Sequence, residues 1–177
     1  MRGAGSSRSP RPAPAAGRPG AGAPRETPSA APRAANPRAD MNVEKIMTRD
    51  PICIPPSEPV GRAARRMKEH DVGALPVVEG GRCVGVLTDR DVAVRVAAEG
   101  KDPVRVAASD VMSVPAIACT PDTAVFEATR MMAERKIRRL VVEGAEGEVC
   151  GLISLGDLAL HGAPATDETL RRVCEPS

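Results

Sequence analysis

Residues 41–98 of this chain can be laid over residues 106–163, and that self-similarity limits its possible folds more than any other feature. At an offset of 65, Met47 falls on Met112, Pro56 on Pro121, Val60 on Val125, Ala63 on Ala128, Met67 on Met132, Leu75 on Leu140 and Val77 on Val142. The offset then grows to 66, placing Gly85 on Gly151 and Asp91 on Asp157. The extra residue falls where Glu79-Gly80-Gly81-Arg82 faces the longer Gly144-Ala145-Glu146-Gly147, a Gly-rich turn in which length changes at little cost. Such a period marks a duplication, so one supersecondary unit is used twice.

Each copy carries the same succession of patterns. Ile52–Ile54 and Ala116–Cys119 are short apolar stretches beside prolines and predict a brief first strand. A helix follows, from about Pro59 to His70 and from about Thr123 to Arg135. Val60, Ala63, Ala64 and Met67 form one apolar stripe, which Val125, Ala128, Thr129 and Met132 repeat. The β-branched runs Leu75–Val78 with Val84–Thr88, and Leu140–Val142 with Val149–Ser154, predict two hairpins. A last helix opens at Thr88 or Asp89 in one copy and near Leu155 in the other, and Gly100 closes the first of these.

The order strand-helix-strand-strand-helix leaves one face of a small sheet uncovered, so a single copy is not expected to stand alone. Two copies packed sheet to sheet bury that face, which predicts an α/β (α+β) fold in one structural domain. Repeat 1 is expected over 41–104 and repeat 2 over 105–162, with 163–177 a tail or a short helix built on Leu170 and Val173. Phe126 is the only aromatic residue, so the core must be aliphatic.

Residues 1–40 contain no Val, Ile, Leu or Phe, while Ala, Pro and Gly fill 24 of the 40 positions. Such a segment buries too little apolar surface to offset its ordering entropy and is expected to be disordered. Its seven arginines against Glu26 and Asp40 give +5, which leaves −3 for residues 41–177 of a chain whose total is +2. The basic balance thus belongs to the tail, and scattered arginines without aromatics argue against nucleic acid as a partner. Met41 opens the first patterned segment, and a translation start there is a second reading of the tail. No apolar run approaches the roughly 20 residues of a membrane span. Five cysteines without a Cys-x-x-Cys pair predict reduced thiols and a cytoplasmic location, and two histidines, His70 and His161, give no metal-ligand pattern.

The chemistry concentrates at the end of each hairpin. Gly85-Val86-Leu87-Thr88-Asp89-Arg90-Asp91 and Gly151-Leu152-Ile153-Ser154-Leu155-Gly156-Asp157 share the form Gly-x-x-(Thr/Ser)-x-x-Asp at a strand-to-helix junction. A hydroxyl and free backbone N–H groups there favour an oxygen-rich or anionic ligand, and an acid three residues on can accept two hydrogen bonds from a ribose diol. The competing reading is that Thr88 and Ser154 cap their helices and that the aspartates sit against the helix dipole. Recurrence at matched positions favours a ligand, and both readings stay open.

These repeated units and paired junction motifs resemble tandem CBS-domain pairs, or Bateman modules, over about residues 43–162. The stretch 69–77 together with Thr88-Asp89-Arg90-Asp91 looks closest to small stand-alone bacterial members of the hypoxic-response type. The resemblance implies clefts between the repeats that take AMP, ADP, ATP, S-adenosylmethionine or a related adenosyl compound as a regulatory ligand, with no catalytic cofactor. It places the ribose-holding acid on Asp91 and Asp157 and the neighbouring hydroxyl on Thr88 and Ser154, with Gly85 and Gly151 heading the motifs. A phosphate-binding basic residue is implied at Arg139 or just before it, at Arg138. Gly73 and Ala74 stand at the matching positions of the first copy. The expectation is a competent site at Ser154, Asp157 and Arg139, and a weaker or empty one at Asp91.

The implied function is a non-catalytic sensor that acts on an effector protein. The alternative is a ligand-free dimeric scaffold. No nucleophile, base and orienting acid recur at plausible spacing, which argues against an enzyme. The resemblance also implies a homodimer joined through helices, to which Phe126 and Met131 would contribute unless they serve the core.

Overall fold

The structure, a computed structural model, describes residues 41–161; the basic tail 1–40 and the segment 162–177, including Leu170 and Val173, lie outside the described residues. In chain order the elements are β1 (Thr48–Arg49), α1 (Val60–Glu69), β2 (Ala74–Glu79), β3 (Arg82–Thr88) and α2 (Asp89–Val92), which runs on into a π-helical turn over Ala93–Ala97. Then come α3 (Ala108–Val111), β4 (Ala118–Cys119), α4 (Val125–Arg135), β5 (Arg139–Glu143), β6 (Val149–Ser154) and α5 (Leu155–Leu160).

The predicted stripes are the buried ones. Val60, Ala63 and Met67 of α1 and Val125, Ala128, Thr129 and Met132 of α4 face inward, and Ala64 is half-buried. Thr129 is tolerated inside because its hydroxyl donates to the Val125 carbonyl one turn back, at 2.7 Å. Both helices begin a residue or two later than the patterns predict, at Val60 and Val125. Both are left through a left-handed residue at matched positions, Asp71 (φ 53°) and Lys136 (φ 52°). The hairpins form as expected. Gly80 and Gly81 (φ 58° and 82°) make the tight turn between β2 and β3, where two successive left-handed residues favour glycine. Gly100 (φ 63°) ends the helical stretch after α2.

The first strands are weaker than predicted. Ala118 and Cys119 pair in parallel with Val141 and Val142, but the first repeat keeps only one bridge, Ile54 to Val77. Pro51, Pro55 and Pro56 flank Ile54, and proline has no N–H to extend a ladder.

The sequence patterns do not reveal that the arms leading into each repeat are exchanged. β1, from the start of repeat 1, pairs antiparallel with β6 of repeat 2 (Thr48 with Leu152, Arg49 with Gly151). Reciprocally, Ser113 from the arm of repeat 2 bridges Val86 of β3. The Val43 and Glu44 N–H groups donate to the Thr123 and Pro121 carbonyls, both at 2.9 Å. Ala108 and Ser109 donate to Glu58 and Pro56 at 2.9 and 3.0 Å. Accordingly Val43 and Ile46 lie in the core with Met132, Leu140 and Ile153, while Ala108 and Val111 lie in the core with Met67, Leu75 and Leu87. Each apolar core is completed by the other repeat's arm.

Strand alternation then orients the sheets. Leu140 and Val142 face the helices, so Arg139 and Val141 point the other way. Val141 is fully buried there, and Arg139 Nη2 rests against Gly73 of the first repeat. The sheets of the two repeats therefore face one another.

Candidate ligand site at the strand-to-helix junctions

Both junctions are built alike. Thr88 Oγ1 accepts from the Asp91 N–H at 3.2 Å, while Asp91 Oδ2 accepts from the Thr88 N–H at 2.9 Å and from its hydroxyl at 2.6 Å. At the second junction Asp157 Oδ2 accepts from the Ser154 N–H at 2.7 Å and hydroxyl at 2.6 Å, and Ser154 Oγ accepts from the Asp157 N–H at 3.3 Å. Each is a capping box with aspartate in the third helical position. The capping role foreseen as the competing reading is thus present, and it engages one carboxylate oxygen.

The other oxygen distinguishes the junctions. Asp91 Oδ1 receives the Ser113 hydroxyl at 3.2 Å and pairs with Arg95 Nη1 at 3.2 Å, and Asp91 is only 7% exposed. Among the described residues, Asp157 Oδ1 has no hydrogen-bond or ion-pair partner, and Asp157 is half-buried. Arg95 and Ser113 escaped the reading of the sequence. The spacing of Asp91 and Arg95, one helical turn, was a legible ion-pair signal, whereas Ser113 arrives by the arm exchange.

Gly85 and Gly151 have a packing reason. A β-carbon on Gly85 would meet Met112 Sδ at 2.5 Å, and one on Gly151 would collide with Met47 Sδ. The repeated Gly and the repeated Met are partners across the exchanged arms.

The two arginines diverge. Arg138 is exposed, and its carbonyl accepts from the Leu155 N–H at 2.9 Å, which sets it at the start of α5. Arg139 lies opposite Ser154 in the β5–β6 register, so both project from the same face. The Arg139 guanidinium reaches across to Gly73 of the first repeat. A β-carbon on Gly73 would stand 2.8 Å from Arg139 Nη2 and 2.8 Å from Asp89 Oδ2.

Burial pushes the Cys53, Cys83 and Cys150 thiols up, and Cys119 to about 11, which disfavours the nucleophilic thiolate. His70 is the C-cap of α1, and His161 Nδ1 lies 2.8 Å from the Asp157 carbonyl at the end of α5. Among the described residues, no helix is long and apolar enough to cross a membrane.

A duplicated α/β pair with interlocked arms and an aspartate-bearing junction in each half defines a two-repeat module. The CBS domain family profile matches residues 43–98 and 108–162, and the chain belongs to that family. It is similar to the CBS domain-containing protein YhcV of Bacillus subtilis, 38% identical over 120 residues, spanning 68% of this chain and 84% of the relative. Hypoxic response protein 1 of Mycobacterium tuberculosis is 30% identical over 133 residues, spanning 74% of this chain and 92% of the relative. A crystal structure of Hypoxic Response Protein I with two coordinated zinc ions matches with a TM-score of 0.62 at 30% identity, over 68% of this chain and 98% of the other. Among the described residues here, no three His, Cys, Asp or Glu side chains converge as metal ligands. The CBS-domain pair of MJ0100, solved with 5′-methylthioadenosine and S-adenosyl-L-methionine, shares the fold with a TM-score of 0.62 at 23% identity, over 68% of this chain and 98% of the other.

Proposed function

We propose that this chain is a non-catalytic regulatory module that binds an adenosyl ligand between its repeats, at the second junction. The observation that carries the reading is the Asp157 carboxylate. Oδ2 is committed to Ser154, while Oδ1 has no hydrogen-bond or ion-pair partner among the described residues and can accept the two hydroxyls of a ribose. Arg138 at the start of α5, and Arg139 on the face it shares with Ser154, supply positive charge for a phosphate. Thr88 and Asp91 form the weaker site. The ligand biases the packing of the repeats, and a cytoplasmic effector protein reads the change.

Isothermal titration with AMP, ADP, ATP and S-adenosylmethionine tests this against the Asp157→Asn variant, which keeps an acceptor for the cap but loses the charge. Saturable binding by the parent and its loss in the variant support the reading. No binding by any of the four, or equal binding by the variant, contradicts it.

A homodimer fits the surface of α4. Phe126 is 53% exposed, whereas Met131 packs on the core. An aromatic displayed on a helix is the kind of group an interface buries. This also favours the second reading, a dimeric scaffold without ligand, and the titration separates the two.

A further inference from the structure

The contacts of Asp91 carry a step beyond ligand capture at Asp157, and that step rests on the same reading of the carboxylates. We infer that the chain closes its own first junction: Arg95 and Ser113 occupy the Asp91 oxygen a sugar diol would need, so Arg95 limits each chain to one ligand.

A carboxylate offers about four acceptor positions. At Asp91 three are used, two by Thr88 on Oδ2 and one by the Ser113 hydroxyl on Oδ1, and the Arg95 guanidinium lies against Oδ1 as an ion pair at 3.2 Å. The occupants are themselves held. Arg95 Nη1 gives its hydrogen bonds to the Val111 carbonyl at 2.6 Å and the Met112 carbonyl at 3.0 Å, where α3 ends, which holds its charge beside Asp91. Ser113 is fastened to Val86 by two backbone hydrogen bonds, at 2.9 and 3.1 Å. A diol entering at Asp91 would have to break this set and strand the freed carbonyls. Asp91, Arg95 and Ser113 thus form a clamp between the first repeat and the arm of the second.

Repeat symmetry supplies the control within the molecule. Arg95 corresponds to His161 (95 + 66) and Ser113 to Thr48 (113 − 65). His161 turns its Nδ1 to the Asp157 backbone carbonyl, at 2.8 Å, and Thr48 makes no side-chain bond to Asp157 among the described residues. The same fold therefore presents one carboxylate engaged on both oxygens and one engaged, among the described residues, on a single oxygen, and the difference lies in the residue one turn after the aspartate and in the arm residue facing it.

Native mass spectrometry of the full chain, with AMP and separately with adenosine, counts the ligands. Arg95→Ala is the test variant. Arg95→Gln, which keeps a donor for the Val111 and Met112 carbonyls, is a second, and circular dichroism reports folding of both. The expected result is one equivalent for the parent and two of at least one probe for an Arg95 variant, with the gained equivalent lost when Asp91→Asn is added. Folded Arg95→Ala and Arg95→Gln chains that stay at the parent's number would overturn the inference. So would a parent that already binds two, one of them lost in Asp91→Asn. Failure of the adenosyl reading looks different: the parent then binds none, and a single equivalent gained in an Arg95 variant still supports a closed Asp91.

Discussion

Asp91 and Arg95 are joined at 3.2 Å across one helical turn, whereas Asp157 and its counterpart His161 meet only through the Asp157 backbone carbonyl. Two copies of one motif have thereby been given different work. The first fastens the arm of the neighbouring repeat, and the second leaves one carboxylate oxygen without a hydrogen-bond or ion-pair partner among the described residues. The same difference orders the expected effects of substitution.

Replacing Arg138 or Arg139 by alanine should weaken AMP binding without weakening adenosine binding. A charge-assisted hydrogen bond contributes roughly 1.5–3 kcal/mol, or about ten- to a hundredfold in affinity. Titrating each variant with both compounds checks this, and the larger loss identifies which arginine meets the phosphate.

Gly85→Ala and Gly151→Ala should each destabilise the chain by about 1–3 kcal/mol, because the added methyl drives into a methionine of the exchanged arm. Urea denaturation measures the loss. Adding Met112→Ala to the first and Met47→Ala to the second should restore part of it, which a defect confined to the strand backbone would not allow.

The exchanged arms predict where a distant change is felt. Val43→Ala removes apolar volume from the second repeat's core although Val43 belongs to the arm of the first repeat, at a cost of about 2 kcal/mol. In hydrogen exchange, α4 and β6 should lose protection more than α1 and β3. The opposite distribution would show each arm docked on its own repeat.

Stability should fall as pH rises from 9 toward 11. Burial lifts the Cys119 thiol from 9.0 to about 11, so over that interval the unfolded chain loses a proton the folded chain retains. The stabilisation is complete below pH 9 and is lost as pH climbs through the folded value, about 2–3 kcal/mol in all. Denaturation midpoints of the parent and of Cys119→Ala, followed from pH 8 to 11, should converge as pH rises.

Much of this architecture was readable from side-chain periodicity. The stripes from Val60 to Met67 and from Val125 to Met132, the Gly80-Gly81 turn and the paired Gly-x-x-(Thr/Ser)-x-x-Asp junctions are local patterns, and local patterns report local structure. The arm exchange was not readable. Val43 and Ala108 occupy matching places in near-identical surroundings, so the same residues would fit either copy, and only tertiary packing decides which. The site was half legible for the same reason. Thr88, Asp91, Ser154 and Asp157 announce themselves by recurrence, but Ser113 reaches Asp91 only through the exchange, and the reach of Arg139 to Gly73 depends on how the sheets face each other. The strand expected at Ile52–Ile54 shrank to one bridge because flanking prolines outweighed its apolar character.

A crystal structure of the full chain grown with AMP tests the central claim most directly. The account predicts ribose hydroxyls on Asp157 Oδ1, phosphate on Arg138 or Arg139, and Arg95 still paired with Asp91. Nucleotide seated on Asp91 with Arg95 displaced, while Asp157 stays bare, would contradict it.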